Sequence, residues 1–127
     1  MLTLALATAL SATARAGPIP TVEIAPGVKM PLAGFGTWQY NSSVAESSVL
    51  TALALGCTHI DTALGYNNQD GVGRAIAKSG LARDSLFVVS KIPGGLDQSA
   101  AADALAQSVE QLFPGDKVGY VDLVRAA

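Results

Sequence analysis

The sequence predicts an α/β chain organised on a parallel sheet, and two observations carry that reading. Short apolar or β-branched runs alternate with one-sided helical runs, and polar side chains stand at the C-terminal ends of consecutive strands. Alternation alone is satisfied by an open doubly wound sheet or by a closed barrel. The strand-end residues tilt the choice: Thr37 and Trp38 follow the first parallel strand, Asp61 and Tyr66 the second, and Lys91 ends the third. In a barrel such ends converge on one mouth.

Each element has a local reason. Residues 21–24 and 28–30 are extended runs on either side of Ala25-Pro26-Gly27, which is turn chemistry, so a small hairpin leads the fold. Residues 32–36 form a compact apolar strand. Ser43 and Glu46 then have capping-box spacing, and Val49, Ala52, Leu53 and Gly56 follow the i, i+3, i+4, i+7 pattern of a helix, with Gly56 placed where a positive φ is cheap. Residues 57–63 make a second strand, whose Asp61 is a misfit for buried backbone. Residues 72–78 are helical up to Gly80, and residues 86–92 are a β-branched third strand. Ala101, Leu105, Val109 and Leu112 trace a third helix, and a fourth strand begins over residues 120–124.

Composition narrows the function classes. Half of the 127 residues are apolar and 14% are charged, which fits a packed α/β chain and excludes a disordered one. A net charge of -2 with scattered Lys and Arg predicts no nucleic-acid partner. One cysteine, Cys57, rules out an intrachain disulfide; at the start of an apolar strand it reads as a small buried hydrophobe. Residues 1–16 read as a leader: an apolar run from Leu2 to Leu10 without acidic residues, then Ala14-Arg15-Ala16, a small-x-small cleavage pattern. The run is too short to span a bilayer, which takes roughly twenty residues. The expectation is delivery to the secretory pathway or an organelle, by a signal or transit peptide, and a cytoplasmic chain if the leader does not function. The domain is then residues 17–127.

The misfit at Asp61 and the charge at Lys91 point to chemistry. Reduction of a carbonyl by hydride leaves an alkoxide that needs a proton, and a tyrosine delivers it if its pKa is lowered from about 10. A neighbouring ammonium lowers it, and a carboxylate keeps that ammonium charged in an apolar site. Asp61, Tyr66 and Lys91 are such a set.

Residues 56–66, Gly-Cys-Thr-His-Ile-Asp-Thr-Ala-Leu-Gly-Tyr, closely resemble the signature of the aldo-keto reductases, and Asn68-Gln69 follows where that family usually has Asn-Glu. Gly34-Phe35-Gly36-Thr37-Trp38 resembles the family's first-strand motif and Phe87-Val88-Val89-Ser90-Lys91 its third, while Ser108 to Leu112 and Tyr120 to Leu123 match as well. The resemblance implies the N-terminal portion of a (β/α)8 barrel, with a hairpin before it and an end near strand 4. It implies an NADPH-dependent oxidoreductase that reduces aldehydes or ketones, acting on a small-molecule substrate as a monomer when full length. Tyr66 would be the proton donor, Lys91 its pKa-lowering partner, and Asp61 the residue that holds Lys91 and touches the nicotinamide ribose. Gly36, Thr37 and Trp38 would lie along the cofactor, with Trp38 also walling the substrate pocket. The family's His, five positions after Asp122, falls on Ala127, and the resemblance ends at about Arg125. An incomplete barrel of that kind implies little turnover as given. The alternative is a non-catalytic barrel fragment or a regulatory, binding relative.

Other readings are structural. Trp38 taken alone reads as a core residue. His59 shares the strand face of Asp61 but lies deeper, and no second His accompanies it, so no metal site is expected. Gly71-x-Gly73 follows a polar stretch rather than a strand, which excludes a dinucleotide-binding glycine loop. Tyr120 and Asp122 read as packing and helix-end contacts.

Overall fold

The computed structural model describes residues 17–116 and 119–127, so the leader assigned to residues 1–16 lies outside the described residues. The hairpin is present: β1 (Thr21–Ala25) pairs antiparallel with β2 (Val28–Pro31) around Gly27 at φ 77. Four parallel strands follow, β3 (Phe35–Gly36), β4 (His59–Asp61), β5 (Phe87–Ile92) and β6 (Leu123–Ala126), in the spatial order β3-β4-β5-β6. Spatial order equal to chain order is that of a barrel wall; a doubly wound sheet reverses at a switch point.

Three helices connect the strands: α1 (Ser42–Ala54), α2 (Gln69–Ser79) and α3 (Gln98–Leu112). Alternation along the strands decides which face each residue serves. Ile60 and Val88 turn toward the helices and join Ala45, Val49, Leu53, Val72, Ala75, Ile76 and Leu112 in one core. His59, Asp61, Phe87, Val89 and Lys91 occupy the opposite face. None of the described helices is long and apolar enough to cross a membrane.

Several boundaries differ from the sequence expectation. The cap of α1 is Asn41, whose side chain accepts the Val44 N–H at 2.9 Å, while the Ser43 hydroxyl donates to the same Asn41 oxygen. Glu46, freed from capping, pairs with Arg74 and Lys78 of α2. The first strand is reduced to Phe35–Gly36, because Leu32 to Gly34 bend away and Leu32 is exposed. The strand expected over residues 57–63 is confined to His59–Asp61, and Cys57 is only partly buried. Gly56, at φ 87, does follow the end of α1, and Gly80, at φ 68, follows α2.

Gly71 and Gly73 owe their place to packing. A Cβ on Gly71 would sit 2.0 Å from the Ser42 carbonyl oxygen, and one on Gly73 would sit 2.4 Å from that of Leu112. The two glycines let α2 press its backbone against the start of α1 and the end of α3.

Candidate active site

Sheet register assembles the site. Gly36 pairs with Asp61 and Asp61 with Val89, so Lys91, two residues further along β5, rises on the same face just beyond Asp61. Lys91 Nζ donates to Asp61 Oδ1 and, at 3.0 Å, to the Thr62 carbonyl. The same Nζ lies 5.0 Å from the centroid of the Tyr66 ring, within cation–π range. Tyr66 is brought there by a single 3-10 turn, Leu64–Tyr66, ended by Asn67 at φ 54. The lysine side chain retains 13% exposure and the aspartate 32%, so the pair is shielded without being sealed. An ammonium has three hydrogens; two are engaged by Asp61 and Thr62.

The first-strand residues border this group unequally. A Cβ at Gly36 would meet nothing within 4 Å, which leaves open space beside Asp61. Thr37 is fully buried, and both its N–H (3.1 Å) and its hydroxyl (3.3 Å) donate to the Asp61 carbonyl, tying β3 to β4. Trp38 is 66% exposed, which corrects the core reading of that residue and leaves it on the rim. Asp61 Oδ2 has no assigned partner among the described residues. A ribose hydroxyl and a flat ring would find an acceptor at Asp61, an open position at Gly36 and an exposed indole at Trp38, and the residues present fit a nicotinamide nucleotide in that sense.

Other polar residues here stand in the sequence motifs without a role assigned to them. Asn68 is fully buried and donates to the carbonyls of Thr37 and Tyr40, both at 2.8 Å. Gln69 accepts from the Ser90 hydroxyl at 2.7 Å and donates to Gln111 at 3.2 Å, and Ser90 also meets Ser108 at 3.4 Å. This chain of buried polar groups fixes α2 and α3 to β5 next to Lys91. The signal for it was the polar run Asn67-Asn68-Gln69 at the start of a helix whose next residues on the core side are apolar.

His59 is occupied structurally. Its Nδ1 is 2.8 Å from the Pro31 carbonyl, so that nitrogen carries the proton, and its ring meets Phe87 edge-on at 5.2 Å. A Cβ on Gly34 would strike the imidazole at 2.9 Å. Asp122 does more than pack: its carboxylate accepts the Val88 N–H at 2.7 Å and pairs with Arg83 at 2.7 Å. On the outer helix face, Lys78 and then Arg74 hold the Glu46 carboxyl below its ordinary 4.5. The Ser42 hydroxyl and then Arg74 hold Asp70 below 3.8, and Glu46 and Asp70 together raise Arg74. Among the described residues no three His, Cys, Asp or Glu side chains gather as a metal site would require.

The family model "Aldo/keto reductase family" matches residues 33–127. The chain belongs to the aldo/keto reductase family. It is 44% identical over 109 residues to an aldo-keto reductase of Mycolicibacterium vanbaalenii, a match covering 85% of this chain and 38% of that protein. It is 38% identical over 103 residues to an aldehyde reductase of Saccharomyces cerevisiae, covering 81% of this chain and 31% of that one. The chain thus spans between about a third and two fifths of these relatives. A Bombyx mori aldo-keto reductase solved in complex with NADP superposes with a TM-score of 0.73 at 28% identity, over 86% of this chain and 38% of that one. The parallel sheet is therefore part of the (β/α)8 barrel of this reductase family. The match also passes Arg125, where the sequence resemblance ends: Arg125 and Ala126 lie in β6, in register with Lys91 and Ile92.

Proposed function

We propose that Asp61, Lys91 and Tyr66 form the proton-delivering end of a carbonyl reductase site that converts aldehydes or ketones to alcohols with NADPH. The observation that carries the reading is the position of Lys91 Nζ, bonded to Asp61 and set over the Tyr66 ring at 5.0 Å. A bound dihydronicotinamide would supply the hydride to the carbonyl carbon. Tyr66 then gives its phenolic proton to the carbonyl oxygen, and the Lys91 ammonium stabilises the phenolate left behind, which is reprotonated from water. Asp61 offsets the charge of Lys91 and offers Oδ2 to the ribose; Gly36 leaves room for the cofactor, the buried Thr37 holds β3 to Asp61 beneath it, and Trp38 bounds the substrate. The NADP bound by the Bombyx mori relative and the aldehyde reductase relative support both the cofactor and the substrate class.

The test is carbonyl-dependent NADPH oxidation by a complete barrel that carries this chain and by its Tyr66→Phe variant, with NADPH binding measured on both. Loss of about a hundredfold or more in rate with binding kept is the expected result. Turnover retained in Tyr66→Phe removes the phenol from its role, and NADPH binding without any turnover in the complete parent barrel replaces the reductase by a non-catalytic binding relative. We propose residues 1–16 as a cleaved leader, for which a mature N-terminus at Gly17 is the check.

A further inference from the structure

We infer that Asn68 is a positioning residue, whose buried amide fixes the turn carrying Trp38 relative to the segment carrying Tyr66. Its bearing on catalysis rests on the reductase reading above; the clamp itself rests on geometry. Residues Thr37 to Tyr40 form a turn closed by the Tyr40 N–H on the Thr37 carbonyl at 3.3 Å, with Gln39 at φ 65. A positive φ at that third position is the place of glycine in a type II turn, and a glutamine persists there only if its surroundings hold it. Apolar packing is a poor holder, since Trp38 is 66% and Tyr40 37% exposed.

Asn68 holds the turn at both ends. Its Nδ2 donates to the Thr37 and Tyr40 carbonyls, each at 2.8 Å, and its Oδ1 accepts the buried Thr62 hydroxyl at 3.4 Å. Two carbonyls can only accept, so the amide orientation follows from its partners. Asn68 stands two residues after Tyr66, and the left-handed Asn67 between them, at φ 54, redirects the chain from the phenol to the clamp. One side chain therefore couples the rim indole to the loop of the proton donor.

Trp38 is the only tryptophan of the chain, so its fluorescence anisotropy reports this turn alone. Asn68→Asp keeps the shape and the Thr62 contact but faces two carbonyls with an acceptor; Asn68→Ala removes all three bonds. In either variant with far-UV circular dichroism unchanged, the residual anisotropy of Trp38 falls by about half as the turn gains nanosecond motion. Gln69→Ala, which breaks the adjacent buried bonds to Ser90 and Gln111, lowers thermal stability and leaves that anisotropy at the parent value. Parent-like anisotropy in the folded Asn68 variants, or an equal fall in Gln69→Ala, overturns the assignment. If neither Asn68 variant folds, the parent decides: slowly exchanging Asn68 side-chain amide protons are expected, and fast exchange overturns the clamp. Carbonyl reduction is measured separately in a complete barrel that carries this chain, where an inactive parent counts against the reductase and leaves the anisotropy result standing.

Discussion

The two ends of β5 each carry an ion pair, and the two pairs are built differently. At the start of the strand, Arg83 uses four of its five hydrogens. Its guanidinium donates to the Tyr120 carbonyl through Nε (3.1 Å) and Nη2 (2.7 Å), to the Leu86 carbonyl (3.0 Å) and to Asp122 (2.7 Å). The same group stacks over the Tyr120 ring at 3.9 Å and the Phe113 ring at 5.2 Å. At the end of the strand, Lys91 has two oxygen partners, a ring face and open space beyond Asp61. A planar fork held by three residues and stacked on two rings suits a closed structural knot, whereas a point charge beside open space suits a site that must also meet a ligand. His59 and Asp61 repeat the contrast on β4: they share a face two residues apart, yet the histidine is locked to the hairpin and the aspartate looks onto the rim.

This contrast breaks if the lower pair proves dispensable. Arg83→Met leaves the carboxylate of Asp122 half-enclosed and removes four donor contacts, so a loss of about 3 kcal/mol in unfolding free energy is expected, read by urea denaturation. A loss below about 1 kcal/mol would place Arg83 among ordinary surface pairs. A smaller effect sharpens the contrast from outside the sheet. Glu46 and Asp70 have depressed folded-state pKa values, so their stabilisation is complete above their ordinary 4.5 and 3.8 and is lost as pH falls through the lower folded values. In acid titration followed by circular dichroism, Glu46→Gln flattens the fall in stability below pH 4.5, and added salt shrinks the difference. Identical acid profiles in the two proteins would assign that fall elsewhere.

The parts of the molecule legible in the sequence are those set by local periodicity or by a residue at odds with its surroundings. Hairpin, alternation and glycine stops are local, and Asp61 and Lys91 stand out because charge is unwelcome in a strand interior. What stayed hidden depends on distant partners. Ser43 and Glu46 have the spacing of a capping box, yet Asn41 takes the cap once α2 offers Glu46 two cations. Asn68 stands in the signature without a role until the Thr37 and Tyr40 carbonyls, about thirty residues earlier, are brought against it. Gly71 and Gly73 resemble a sparse phosphate motif, and only the approach of α1 and α3 shows why a side chain is barred there. Trp38 has the size of a core residue but follows a strand of two residues that ends at the rim.

The role given to the Lys91–Asp61 pair is tested most directly by Lys91→Met, which keeps most of the length of the side chain and removes its charge. In a complete barrel that carries this chain, with NADPH binding retained, carbonyl-dependent oxidation should fall about a hundredfold, because the phenolate left by proton transfer loses its ammonium. Turnover equal to the parent, with the variant folded and NADPH bound, would contradict the account.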